Sequence, residues 1–157
     1  MHIDQYRYLV IEPTLLHLKK YDSKLCTKDA IDLMHGTVLL EGSKGNDVYY
    51  HTQIKGPARS PFQVEPNTML DNYTNYLDYR PDFKDIIDEL LIGSDLVENL
   101  YCNPFFACAM ARLVYWRSPV AIPDHYKGKA TIYKEIYNTV NGKANLEKAI
   151  EVFRKIS

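Results

Sequence analysis

Three short stretches carry residue types that could do chemistry together. The first, Val38-Leu39-Leu40-Glu41-Gly42-Ser43, ends an apolar helical run in a carboxylate and then a flexible glycine. A carboxylic acid that donates a proton near neutral pH must stay protonated until it acts, and burial beside apolar groups secures this by disfavouring the charged form. The second, Ser60-Pro61-Phe62-Gln63-Val64-Glu65-Pro66-Asn67-Thr68, supplies the Gln63 amide. The third, Ile136-Tyr137-Asn138-Thr139 followed by Asn141-Gly142, supplies a phenol and a second amide. Taken singly, each has a plainer reading. Glu41 is a solvated helix-end carboxylate, the usual fate of a Glu, Gln63 braces a loop, and Tyr137-Asn138 ends a helix.

Taken together, their order and spacing resemble the soluble lytic transglycosylase and goose-type lysozyme superfamily. There a catalytic Glu ends a helix and is followed by Ser, then by Gly-Leu-Met-Gln-x-x-Pro-x-Thr, then by Ala-Tyr-Asn-Ala-Gly. Glu41 falls at the catalytic acid and Phe62 at the Met; Gln63, Pro66 and Thr68 fall on Gln, Pro and Thr, and Tyr137 and Asn138 on Tyr-Asn. The stretch from Asn99-Leu100 through Tyr115 resembles the family's central helix, so the likeness covers about Leu33 to Gly142. It extends to small phage-encoded, virion-associated versions of the domain.

The resemblance implies one lysozyme-like domain over residues 1–157, peptidoglycan glycan strands as substrate, packaging in a virion beside other virion proteins, and no cofactor. It also implies that Glu41 acts first as acid and then as base while a substrate hydroxyl attacks intramolecularly. Hydrolysis usually needs a second carboxylate, and the candidates Asp47 and Glu65 match no family position. Gln63 and Asn138 are expected to hydrogen-bond sugar substituents, and Tyr137 to place its hydroxyl near the acid. Phe62, Tyr49 and Tyr50 are expected to stack on sugar rings. The chain departs from the family pattern at Glu41-Gly42-Ser43, at Ser60-Pro61, and after Tyr137-Asn138, where Thr139 follows and glycine is reached only at Gly142. Those departures motivate a competing expectation, a catalytically inactive lysozyme-fold structural or adaptor protein of a virion.

The elements that must hold these residues read as helical nearly throughout. Tyr6 to Leu18 repeats apolar residues at helical spacing, with Pro13 either kinking it or starting a second helix. A helix from about Lys28 to Leu40 has Thr27 or Asp29 as its cap. Glu41 to Pro66 is rich in Gly, Pro, Ser and Asn and includes a β-capable patch from Asp47 to Ile54, so a long loop or small β-hairpin separates the acid helix from Gln63. Asn67 then caps Thr68 to Tyr79, Pro81 opens a segment through Leu91, and Ser94 caps Asp95 to Tyr101. Asn103-Pro104 is a strong start signal for Phe105 to Trp116, apolar on nearly all sides and read as the buried central helix. Helices over about Lys129 to Tyr137 and Leu146 to Ile156 complete a mainly α chain. Tyr73, Tyr76 and Leu77 share a face that reads as core and groove wall.

Composition sets the outer bounds. A chain of 157 residues with 46% hydrophobic residues is long enough for one domain with one real core. A net charge of −1 argues against a protein that grips nucleic acid or anionic membrane through a basic field. Asp4, Arg7 and Glu12 interrupt the N-terminal stretch where a signal peptide would be apolar, and no apolar run approaches the roughly 20 residues that span a bilayer. The expectation is synthesis in the cytoplasm with no stable membrane insertion. The longest apolar run, Phe105 to Ala111, is stopped by Arg112. Three cysteines without a CxxC pair fit a reducing compartment or core packing better than a disulfide framework or a zinc site, and five histidines without ligand spacing suggest no metal. Thirteen Tyr against one Trp require many hydroxyl partners in the interior or a cleft.

Overall fold

Proline, caps and one long apolar run account for most of the helical path. The computed structural model describes residues 1–49, 56–138 and 144–156. Its first rod, α1 (residues 3–18), starts earlier than the periodicity predicts. His2 Nδ1 accepts the Asp4 N–H, and Gln5 Oε1 accepts the His2 N–H, a reciprocal cap at the very start. Within α1 the stretch Arg7–Ile11 winds as a π-turn before Glu12–Leu18 resumes α geometry. A proline inside a helix collides with the carbonyl four residues back, here that of Leu9. The wider turn falls on that carbonyl, so α1 runs past Pro13 instead of ending there.

Helix α2 (Lys28–Glu41) carries the candidate acid as its last residue. Thr27 caps it by accepting the Ala30 N–H on its hydroxyl at 3.1 Å, a bond type that stabilises by about 1 kcal/mol. Arg7 ties α1 to α2, its Nη1 donating to Asp32 at 2.9 Å and its Nε to Glu12 at 3.1 Å. Lys28 Nζ reaches the other Asp32 oxygen at 2.7 Å, so this buried carboxylate faces two cations.

After α2 comes a two-stranded antiparallel hairpin, β1 (Ser43–Lys44) and β2 (Asp47–Val48), with Ser43 opposite Val48. Gly45 supplies the positive φ (61°) of its turn. The chain start lies along it, with Ile3 N–H bonded to Asn46 O and Val48 N–H to Met1 O. The β-capable patch is thus paired only at Asp47–Val48; its continuation from Tyr50 to Ile54 lies outside the described residues.

Four helices follow: α3 (Pro66–Thr74), α4 (Pro81–Asp88), α5 (Leu96–Cys102) and α6 (Pro104–Trp116). Two start signals differ from expectation. Pro66 itself takes the first position of α3 instead of Asn67 capping it, because proline lacks the N–H that would go unbonded there. Asp95, with a longer reach than Ser94, caps α5 by accepting the Glu98 N–H at 3.0 Å. α3 also stops at Thr74, and Leu77–Tyr79 forms a separate 3₁₀ turn.

Helix α6 is the buried helix the sequence announces. Asn103 Oδ1 accepts the Phe106 N–H, its Nδ2 donates to Leu90 O, and Pro104 follows at the first position. Every residue from Phe106 to Ala111 is fully buried. The chain closes with α7 (residues 126–137, whose last part, Tyr133–Tyr137, is a second π-turn) and α8 (Leu146–Ile156). Gly36 lets α8 approach α2, since a Cβ there would lie 2.1 Å from the Phe153 ring. The buried apolar residues of these helices form one connected core. Tyr73 and Leu77 join it, and Tyr76 packs half-buried against it. Among the described residues no helix is long and apolar enough to cross a membrane.

Candidate functional site

Glu41 sits half-buried at the C-terminal end of α2, where the last carbonyls lack helical partners. Ser43 serves one of them, its hydroxyl donating to Leu39 O at 2.7 Å. Gly42 is packed directly on the second motif. A Cβ at this position would stand 2.2 Å from the Pro61 carbonyl oxygen and 2.3 Å from its Cα. Gly42 and the Pro61 backbone therefore face each other, and the absent side chain at 42 makes room for the backbone at 61.

The loop that Gly42 accommodates is tight. Arg59 and Val64 exchange both backbone hydrogen bonds, at 2.9 and 3.0 Å, and enclose a turn over residues 60–63. Ser60 and Gln63 both take left-handed φ values, 66° and 51°, each costing about 1–2 kcal/mol for a residue with a side chain. Local bonds hold the turn: Gln63 N–H and Nε2 both donate to Ser60 O, and Phe62 N–H donates to the Ser60 hydroxyl. Gln63 thus braces this loop while its side chain also lines the adjacent cleft.

Phe62 corrects an expectation. Its ring is fully buried and lies 6.0 Å from the Tyr6 ring, so it belongs to the core and not to a sugar-stacking surface. A benzyl side chain is driven inward wherever the backbone allows, and the turn at 60–63 points it there. What Phe62 offers the site is its backbone carbonyl, which accepts the Tyr137 hydroxyl at 2.5 Å.

The third motif reaches Glu41 through the π-turn of α7. The bond from Asn138 N–H to Tyr133 O spans five residues, a wider winding that brings positions i, i+4 and i+5 side by side. Tyr133, Tyr137 and Asn138 occupy those positions. Tyr133 donates its hydroxyl to Glu41 Oε1 at 2.6 Å, and Asn138 Nδ2 donates to the same oxygen at 3.1 Å. Asn138 Oδ1 in turn accepts from Lys134 Nζ and from the Ala144 N–H. Among the described residues no partner engages Glu41 Oε2.

A stack of tyrosines backs this arrangement. The Tyr115 and Tyr137 rings lie 5.1 Å apart and nearly parallel, and Tyr133 lies 6.2 Å from Tyr137. Thr37 directs its own hydroxyl proton to Leu33 O, so the 2.7 Å contact between Tyr115 and Thr37 has the tyrosine as donor. Burial pushes the hydroxyls of Tyr115, Tyr133 and Tyr137 well above the ordinary tyrosine value, and the nearby Glu41 charge adds to each shift. These hydroxyls keep their protons and act as fixed donors.

Beside the stack lies a cleft of about 340 Å³, lined by Gln63, Glu65, Thr68, Val114, Ile136 and Tyr137. Glu65 brings a second, solvent-exposed carboxylate to it, whereas Asp47 stays on the hairpin. No family model, no curated protein and no solved structure matches the chain.

The structure therefore joins Glu41 with Asn138 directly, and joins Tyr137 with the Phe62–Gln63 turn. Tyr137 does not bond the acid; Tyr133, one turn earlier on the same face, does. Its position four residues before Tyr137 is the signal that could have flagged it. Tyr49 stands 44% exposed just after the hairpin, its N–H bonded to Gly42 O. Tyr50, Thr139, Asn141 and Gly142 lie outside the described residues. His35 is buried away from Glu41, with Nδ1 3.3 Å from Arg7 Nη1. Cys108 is fully buried and its thiol is pushed up to about 12, as expected of packing rather than of a nucleophile. Among the described residues no group of three His, Cys, Asp or Glu side chains could hold a metal ion.

Proposed function

We propose that this chain is a peptidoglycan-cleaving glycosidase of lytic-transglycosylase type, with a lysozyme-like fold and a place in a phage virion. The observation that carries the reading is the half-engaged Glu41 carboxyl. Tyr133 and Asn138 pin Oε1, while no described residue partners Oε2. Such an acid is oriented without being consumed by its neighbours. In the proposed reaction Oε2–H gives its proton to the glycosidic oxygen as the bond from that oxygen to the anomeric carbon breaks. The carboxylate so formed accepts the proton of a substrate hydroxyl as that hydroxyl attacks the same carbon and closes an anhydro ring. Tyr133 and Asn138 stabilise the intervening carboxylate charge. The order of elements also supports the reading: an acid-terminated helix, a small hairpin, the Gln63 turn, the buried α6, and the tyrosine-asparagine segment returning to the acid.

Zymography on purified murein tests it. The native chain clears the gel and Glu41→Gln does not; equal clearing by both overturns the assignment. One observation favours a second reading, a catalytically silent assembly module of a virion: Glu41 does not itself line the 340 Å³ cleft. Titration with murein sugars separates the two, since absence of binding together with stable self-assembly points to the module.

A further inference from the structure

The charged residue that ends the apolar run of α6 is not absorbed by the Glu41 site. Arg112 is only 2% exposed, deep between α6 and the loop before α2. Its Nε donates to Leu25 O at 3.1 Å and its Nη2 to Lys24 O at 3.2 Å. Those two bonds use two of the five N–H groups of a guanidinium. Among the described residues Nη1 has no acceptor and no carboxylate pairs with Arg112. The guanidinium also lies over the Trp116 ring, 5.7 Å from its centroid, a contact worth less than the cost of burying a cation with no counter-ion, and burial pulls its pKa down to about 10.

Arg112 lines a cavity of about 430 Å³, within the size range of small-molecule sites. One wall is apolar, formed by Trp116 and by Pro119, Val120 and Ile122 of the following loop. Trp116 is held in place, its Nε1 donating to the Tyr76 hydroxyl at 2.8 Å. The lining also includes Lys24, exposed and without an ion pair among the described residues, and the start of α2 at Thr27 and Asp29. The Asp29 carboxylate also faces this region, but Lys129 Nζ neutralises it at 2.9 Å. The cavity lies at the opposite end of α2 from Glu41, about 20 Å away by helical rise.

We infer that this cavity binds a small aromatic carboxylate, with the carboxylate paired to Arg112 and the ring against Trp116 and the Pro119–Ile122 loop. A planar guanidinium suits a carboxylate with both oxygens in its plane. The apolar wall suits a ring in place of hydrated anion surface. The inference is independent of any reaction at Glu41.

Trp116 is the chain's one tryptophan, so its emission reports occupancy directly. Benzoate, benzamide and inorganic phosphate are titrated against the full chain. The expected result is a saturable change with benzoate, about tenfold or more weaker with benzamide, which keeps the ring but lacks the charge. Phosphate alone binds weaker than benzoate. Arg112→Gln removes the benzoate response. Ala121→Glu, an exposed loop position on the cavity rim, removes it as well without lowering the thermal midpoint, and decides the matter if Arg112→Gln fails to fold. No saturation with benzoate, equal affinity for benzamide, phosphate matching benzoate, or an unchanged benzoate response in Ala121→Glu each overturns the inference.

Discussion

Replacing Gly42 by alanine tests whether the acid helix and the Gln63 turn are packed as one unit. The backbone of Gly42 has φ −132°, which any residue adopts, so the substitution carries no backbone strain. It even removes some freedom from the unfolded chain, a stabilising effect of about 0.4–1 kcal/mol. Against this stands a steric clash. The new methyl group would sit 2.2 Å from the Pro61 carbonyl oxygen, where ordinary contact begins at 3.4 Å. The obstacle is main chain, and the turn around it is fastened by the Arg59–Val64 bonds, so no side chain can rotate away. Overpacking of this kind costs about 1–3 kcal/mol; at mid-range, with the entropic offset taken off, the net loss is about 1.3 kcal/mol, and at most about 2.6 kcal/mol. With a urea slope of about 2 kcal/mol/M, the denaturation midpoint falls by about 0.6 M at mid-range. The displaced turn also carries the Phe62 carbonyl off the Tyr137 hydroxyl, so near-ultraviolet circular dichroism from the tyrosine stack weakens in parallel. Gly45→Ala, in open space but at positive φ, is the comparison: it lowers the midpoint while leaving the tyrosine signal intact. A Gly42→Ala chain with an unaltered midpoint and an unaltered tyrosine signal would refute the packing argument.

Two further outcomes follow from the same geometry. Tyr133→Phe removes the shorter of the two bonds to Glu41 Oε1, and a hydrogen bond to a charged group is worth about 1.5–3 kcal/mol; murein clearing is expected to slow by about tenfold or more while the thermal midpoint changes by only a few degrees. His35 is held neutral, its pKa lowered to about 4 from 6.5 by burial first and then by Arg7, with Asp4 and Asp32 opposing and His2 adding to the lowering. The unfolded chain therefore binds the proton more readily, and the stabilising contribution is complete above pH 6.5 and lost as pH falls toward 4. The full loss is about 3 kcal/mol. Thermal midpoints measured from pH 7.5 to 4.5 are expected to decline for the native chain and much less for His35→Gln; parallel curves would remove His35 as the cause.

The helices with local start signals were legible in the sequence. Thr27, Asn103-Pro104 and the amphipathic stretch at Leu146 to Ile156 each act through neighbours a few residues away, and the structure places those elements where the spacing predicts them. The α6 interior was readable for a related reason, because a stretch apolar on nearly every side has nowhere to go but the core. The site was legible only in part. Glu41 and Asn138 meet, but the exchange of roles between Tyr133 and Tyr137 depends on a π-turn, a change of winding that residue types alone do not encode. The burial of Phe62 depends on left-handed φ values at Ser60 and Gln63, neither a glycine, so no turn signal marked them. The room Gly42 makes for the Pro61 backbone is a contact between distant segments that residue types alone do not encode.

The hydrogen bonds to Glu41 also fix the order in which the site comes into being. The acid's partners stand 92 and 97 residues further along the chain, and the Tyr137–Phe62 bond spans 75. At synthesis rates of about 5–20 residues per second, roughly 5–20 s pass between emergence of Glu41 and emergence of Asn138. Throughout that interval α2 can form, but its terminal carboxyl has neither donor. The site thus cannot be assembled before α7 has been made, and a chain cut short before residue 133 would lack both groups that orient the acid.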